Sequence, residues 1–363
     1  MAVARLSSPS RSARTERFSR QTTGTIVRIA AIGVGRLGLL HAQNLARRVP
    51  GAELALVVDV DEPAARRAGD LCGVPYTTDY RAALADDSIV AVEICTATDT
   101  HADLIVAAAQ GGKHIFCEKP IALTLADTDR AIAAADQAGV LLQIGFMRRY
   151  DPAYQEARRL IDAGRIGRPF TFRSASFDSS ISPSRDFLER CGGIFLDVSI
   201  HDFDLARWLM GDEIVEVSAV GAVMKHDVLR EIGDVDNAVA TLRFAGGGIG
   251  VVQASHTAVY GYDIATAVAG ERGAVRAGEL RYTDVWLYDA TGRVSHDIVP
   301  NFPERFAVAY LQELVDFVAC VRDGRTPLVS GADARAALAI ALAARKSLQE
   351  GRPVRVQEES SGR

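Results

Sequence analysis

Ile26-Val27-Arg28-Ile29-Ala30-Ala31-Ile32 followed by Gly33-Val34-Gly35-Arg36-Leu37-Gly38 is the stretch that decides how this chain folds. The apolar run reads as a buried strand. The glycines break it, and Leu39, Leu40, Ala42, Leu45 and Ala46 continue at helical spacing. Strand, Gly-x-Gly-x-x-Gly and helix in that order build a dinucleotide-binding turn. Gly33 permits the tight turn, Gly35 lets backbone approach a pyrophosphate, and Gly38 lets the helix pack on the strand. The N–H groups of Arg36, Leu37 and Gly38 open the helix toward the phosphate charge. Asp59 ends the next apolar strand, 21 residues after Gly38. A carboxylate there accepts from the adenine-ribose hydroxyls and repels a 2′-phosphate, so NAD is expected over NADP. Arg66 and Arg67 are the nearby cations that could accommodate such a phosphate, although their spacing also suits a solvated helix face.

Outward from this unit, strands and helices alternate. Strands are expected at 53–58, 89–95, 113–117 and 140–144, and helices at 63–71, 102–109 and from Thr124 to Gly139. This is the pattern of parallel βαβ units covered on both faces. Cys95-Thr96-Ala97-Thr98-Asp99-Thr100-His101 follows a strand and opens a helix. Thr96 and His101 are expected to touch the cofactor, and Thr98 or Thr100 could cap the helix. Past residue 150 the pattern changes. Helices are expected at 152–163, 195–210, 306–321 and 332–349. Strands are expected at 170–177, 215–223, 238–244, 250–255, 264–269 and 285–288, the later ones with no helix between them. That favours a largely antiparallel sheet. The expected fold class is α/β. A dinucleotide-binding domain spans 25–146, and a substrate-binding and oligomerisation domain spans 147–356.

The chain has 363 residues, 48% hydrophobic and 24% charged, with net charge -5, which suits two soluble domains and gives no reason to expect nucleic acid. Residues 1–24 are rich in Ser, Thr and Arg and are expected to form a disordered basic tail without a secretory signal. No apolar run is long enough to span a membrane. Five scattered cysteines with no Cys-x-x-Cys pair fit a reducing cytoplasm, and no ligand cluster with suitable spacing suggests a metal.

Two further groups carry chemistry. Cys117-Glu118-Lys119-Pro120 places a lysine at the end of the strand 113–117, where ligands of doubly wound folds gather. Asp197 and His201 lie four apart in the expected helix 195–210, with Asp204 three further on, so the three share a face. Oxidising a secondary alcohol needs a hydride acceptor and a base. Nicotinamide supplies the first and His201 suits the second, since its pKa lies near operating pH. Lys119 could polarise the oxygen or relay the proton, and Asp197 could orient a substrate hydroxyl.

With these residues in place, the chain resembles the Gfo/Idh/MocA oxidoreductases over about residues 26–356, most closely their inositol 2-dehydrogenase branch. The matching stretches are Gly33–Gly38 with His41, Phe116–Pro120, Gly145–Asp151, Asp197–His201 and Tyr260–Asp263. The resemblance implies a Rossmann domain and a second domain with a large, open, mostly antiparallel sheet that builds dimers or tetramers. It implies Lys119, Asp197 and His201 as the catalytic set, with Glu118 and Lys119 beside the cofactor. Arg148, Asp178, Tyr260 and Tyr262 would join Lys119, Asp197 and His201 around a polyol or sugar. The expected reaction is NAD-dependent oxidation of a cyclitol, foremost myo-inositol to its 2-keto form. Another inositol isomer, an aminocyclitol or a pyranose sugar is the alternative, and a non-catalytic NAD-sensing protein a further one. The chain departs from the family pattern at Ala97, where proline is usual, at Phe177 within Ser174–Ser184, and across 182–191.

Overall fold

Apolar runs punctuated by glycine become the strands of two sheets in the computed structural model, which describes residues 26–181, 184–278, 287–288, 290–291, 294–295 and 297–356. The basic tail, and residues 285–286 of the expected last strand, lie outside these.

The first sheet holds β1 (Val27–Ile32), β2 (Ala52–Val58), β3 (Tyr76–Thr77), β4 (Ala91–Ile94), β5 (His114–Glu118) and β6 (Leu142–Gly145). Between them run α1 (Arg36–Arg47), α2 (Glu62–Cys72), α3 (Tyr80–Ala85), α4 (Thr98–Gln110) and α5 (Leu125–Ala138). The strand order is β3-β2-β1-β4-β5-β6, every pair parallel. The order reverses beside β1, so the carboxyl ends of β1, β4 and β5 frame the crevice where a dinucleotide binds. Thr124 Oγ1 accepts from Asp127 N (3.1 Å) at the start of α5, and Gly139 ends it in the left-handed region.

A 3₁₀ turn (Met147–Tyr150) and α6 (Pro152–Asp162) lead into the second layer. It contains β7 (Pro169–Phe177), α7 (Arg185–Arg190), α8 (Ile194–Asp197), α9 (Ile200–Met210), β8 (Ile214–Ala222), α10 (Asp227–Glu231), β9 (Asn237–Phe244), β10 (Ile249–Ser255), β11 (Asp263–Gly270) and β12 (Gly273–Gly278). A small pair, β13 (Leu287–Tyr288) and β14 (Val294–Ser295), precedes α11 (Phe302–Arg305), α12 (Ala307–Asp323), α13 (Gly331–Glu350) and β15 (Val354–Arg355). The large sheet runs β12-β11-β7-β10-β9-β8-β15, antiparallel except for the pair β7 and β10. One short helix, α10, does interrupt the later strands.

The expected continuous helix 195–210 is broken. Val198 and Ser199 both donate to Ile194 O (3.0 Å each), and the ladder restarts with Asp202 N on Ser199 O (2.9 Å). Asp197 therefore ends one helix and His201 opens the next.

The hydrophobic core does not divide where the two sheets do. Leu314, Phe317, Val318 and Val321 of α12 pack into the same cluster as Val27, Ile29 and Val57 of the first sheet and Leu45 of α1. Gln143 of β6 donates to Glu313 O at 2.8 Å. A late helix thus returns to cover the first sheet, which fixes the two layers against each other across the crevice.

Candidate active site

The glycine turn has the shape the sequence requires. Gly33 sits at φ +90°, and a Cβ there would lie 2.5 Å from Cys95 O. A Cβ on Gly38 would come within 2.0 Å of Gly33 O, so the helix touches the turn directly. A Cβ on Gly35 would meet nothing within 4 Å. That open space lies at the N-terminus of α1, where no side chain caps the first N–H groups. Asp59 Oδ2 accepts from Val34 N (2.8 Å) and Oδ1 from Asp61 N (3.0 Å), which pins the carboxylate beside the turn. Each oxygen keeps a lone pair for a ribose hydroxyl. Arg66 is engaged by Glu62 at 2.7 Å. The cradle and the acid fit NAD.

At the end of β4, Thr96 Oγ1 pairs with Thr100 Oγ1 (2.7 Å), and Thr100 Oγ1 also donates to Ala97 O (2.7 Å). Neither Thr98 nor Thr100 caps α4: the N-cap is Ala97, with no side-chain bond. His101 is built into the wall of the crevice. The ring is buried, Nδ1 lies 2.9 Å from Pro120 O, and Nε2 lies 3.2 Å from Thr96 O. His101 thus packs between two crevice loops, its neutral ring able to donate to one of these carbonyls.

Glu118 likewise turns inward. Its Oε2 accepts from Lys119 N (3.1 Å), and Oε1 lies 3.6 Å from His41 Nε2 in a pocket shared with Glu93 and Glu313. Those atoms of His41, Glu118 and Glu313 lie within 4.8 Å of one another, a meeting that no sequence spacing announces. Burial pushes the carboxyl groups of Glu93 and Glu313 well above the usual carboxylate range. Glu118 thus supports Lys119 from behind.

Lys119 follows β5 and reaches across the crevice to the second layer. Its Nζ donates to Asp197 O (2.7 Å) and Oδ1 (3.1 Å). His201 lies edge-on to Phe146, with ring centroids 5.7 Å apart. Burial, with Lys119 and Arg148 nearby, holds its imidazole well below the usual histidine value. It is therefore neutral at pH 7, and its buried Nδ1 has no hydrogen-bond partner. Asp204 does not join this group. It pairs with Arg149 (2.6 Å), which also meets Asp333 (3.0 Å), because the arginine is buried and needs those charges.

Arg148 is buried beneath the site rather than solvated. It donates to Asp202 Oδ1 (2.7 Å) and Ser176 Oγ (3.0 Å), and Asp202 also accepts from Ser174 and Ser176. Tyr262, 8% exposed, lies beside Arg148 and packs edge-on to Phe306. Asp178 lies at the exit of β7. Partial burial and the charge of Asp197 push it up to about 6, against the pull of His256, Arg148 and Lys119. Tyr260 stands apart: it is 58% exposed and its hydroxyl donates to Asp263 (3.2 Å). Sequence reasoning missed Asp202 and His256. The inward-facing serines of β7 were the one available signal, since an alternating strand should bury apolar residues there.

A pocket with a neutral imidazole, a lysine ammonium and a dinucleotide cradle can move a proton while a nicotinamide takes two electrons. That places the chain among NAD-dependent oxidoreductases of the two-domain Rossmann type. A model of the oxidoreductase family with NAD-binding Rossmann fold matches residues 27–146, and one of the GFO/IDH/MocA C-terminal domain matches 154–276. The chain belongs to the Gfo/Idh/MocA oxidoreductase family. It is 43% identical to scyllo-inositol 2-dehydrogenase (NAD(+)) of Bacillus subtilis, over 91% of this chain and 96% of that one. Identity to the Myo-inositol 2-dehydrogenase of Thermotoga maritima is 41%, over 92% and 99%. The crystal structure of scyllo-inositol dehydrogenase from Lactobacillus casei with bound NAD(H) and scyllo-inositol superposes with TM-score 0.85 at 30% identity, over 92% and 99%.

Proposed function

We propose that this enzyme oxidises one secondary hydroxyl of a cyclitol with NAD, myo-inositol to its 2-keto form foremost. The observation that carries the reading is the Lys119–Asp197 bridge across the crevice, with a neutral His201 beside it. NAD supplies the hydride acceptor; Gly35, the first turn of α1 and Asp59 would hold it. His201 takes the hydroxyl proton, which a protonated imidazole could not do. The Lys119 ammonium stabilises negative charge developing on that oxygen. Asp197 fixes Lys119 and offers its remaining lone pairs to a neighbouring hydroxyl. Arg148, Asp178 and Tyr262 line the same side.

Scyllo-inositol is the second reading, favoured by the 43% identical relative that acts on it. The two isomers differ in configuration at one carbon, and oxidation there gives the same ketone. NADH absorbance with a panel of myo-inositol, scyllo-inositol, aminocyclitols and pyranoses tests this. Turnover of a pyranose with both inositols inert would overturn it.

The large sheet presents Arg173, Ala175, Val239, Thr241, Val251 and Gln253 on the face away from α9 and α13. That mixed, half-exposed face supports a homodimer or homotetramer, which light scattering after gel filtration would count. Among the described residues no helix is long and apolar enough to cross a membrane. The five cysteines are free, which supports a reducing, cytoplasmic setting.

A further inference from the structure

Strands β7 and β10 are the parallel pair of the large sheet, with Phe177 opposite Ser255. Parallel strands end at the same edge, so the next residues, Asp178 and His256, leave the sheet side by side. Backbone bonds fix both exits. Asp178 N donates to Ser255 O (2.7 Å), Ala258 N to Asp178 O (3.0 Å), and His256 N to Asp236 O (2.8 Å).

The polar groups around them are mostly spent on each other. Asp202 is taken by Arg148, Ser174 and Ser176, and Asp204 by Arg149. Asp234 accepts from Ile194 N at the start of α8. His256 is different. It is 7% exposed, and its buried Nδ1 has no hydrogen-bond partner. Asp178 Oδ2 lies 3.7 Å from it, too far for a hydrogen bond. Asp178 itself is not closed off, its side chain being 27% exposed.

A gap of 3.7 Å between a ring N–H and a carboxylate oxygen suits one hydroxyl, which accepts from the first and donates to the second. Lys119 and Asp197 lie close enough to Asp178 to act on its charge, so such a hydroxyl would sit on the same ring as the one being oxidised. We propose that His256 is a specificity-determining residue: with Asp178 it grips a second, non-reacting hydroxyl of the ring polyol and so reads substrate configuration at that carbon. This rests on the polyol chemistry proposed above.

The test is steady-state kinetics of wild type, His256→Ala and His256→Asn with the best inositol isomer and its mono-deoxy analogues. Losing one hydrogen bond to a buried polar pair raises KM about 10-fold, with kcat changing less than about threefold. Asn carries an N–H near the Nδ1 position and restores KM to within about threefold of wild type. One deoxy analogue, lacking the gripped hydroxyl, loses about 10-fold in wild type and nothing further in H256A. The pH profile adds a readout. The groups facing Asp178 are His256, Asp197, Arg148, Lys119 and Tyr262. Its carboxylate must be ionised to accept, so wild-type KM rises below about pH 6. In H256A that limb moves to higher pH, because the group that pulled Asp178 down is gone.

An H256A enzyme with wild-type KM, or one that loses kcat at constant KM, overturns the inference. So does an equal penalty with every deoxy analogue. Melting temperature and NAD affinity show whether H256A is folded. If it is not, H256N and the wild-type deoxy series decide alone, and no discriminated analogue means no grip. Wild type inert with every cyclitol overturns the proposed function. Wild type active beside an unaffected H256A overturns only the role of His256.

Discussion

The cofactor turn and the polyol pocket differ in how far apart their parts lie in the chain. Gly33, Gly35 and Gly38 fall within six residues, and every atom they crowd or avoid belongs to the turn or to the adjacent β4 exit. Lys119, Arg148, Asp178, His201 and the loop carrying His256 and Tyr262 come instead from five separate segments of two layers. The turn is a local solution to a backbone problem. The pocket exists only after β5, β7, β10 and α9 have been brought to one crevice. A substitution in the turn should therefore act through backbone fit, and one in the pocket through chemistry or long-range support.

The largest effect is expected at the pocket. His201→Ala should lower kcat about 10²–10⁴-fold by removing the base, with NAD affinity held. Unchanged turnover would exclude His201 as the base. Next comes the pair that lies outside the reacting group despite its spacing. Asp204→Asn strips the buried Arg149 of its main partner and should cost about 3–5 kcal/mol of stability, read by denaturant unfolding. Activity per folded enzyme should persist, and a selective loss of kcat would put Asp204 back in the site. Within the turn, two alanines should behave oppositely. Gly38→Ala forces Cβ onto Gly33 O and should cost about 1–3 kcal/mol. Gly35→Ala meets no atom, so the melting temperature should hold while NAD binding weakens about 10-fold or more by calorimetry. Equal effects on both properties would break the distinction between packing glycine and ligand glycine.

The smallest effect per step concerns the support behind Lys119. Glu313 has a folded pKa raised by burial, so its stabilising effect is complete below the unfolded value and is lost as pH rises toward the folded one. Glu313→Gln lacks that loss. Relative to wild type it should gain up to about 1.4 kcal/mol per pH unit above about pH 4.5. A pH-independent difference in unfolding free energy would show that Glu313 is ionised in the fold.

Residue patterns made the first domain legible almost strand by strand, because each parallel strand is a short apolar run stopped by glycine or a cap. Lys119, Asp197 and His201 were legible as residue types at strand and helix ends. Their roles were blurred where a side chain's partner lay far along the chain. Asp204 has helical spacing from His201, yet Arg149 and Asp333 hold it. His101 has the right position for a cofactor contact, and two carbonyls flank its ring. Glu118 precedes the key lysine, yet faces His41, Glu93 and Glu313. Nothing local distinguishes such residues from ligands.

The sequence by itself determined the alternation of strands and helices, the glycine turn, the acid that ends the second strand, and the residue types needed for hydride transfer. Those properties are carried by neighbours a few positions apart, whose geometry the backbone dictates. Only the tertiary structure decided which buried charges neutralise each other, that α12 returns to the first sheet, and that Asp178 and His256 face one another across 3.7 Å. A buried polar group must be satisfied by whatever the fold places beside it, and strand pairing, not chain distance, chose that partner.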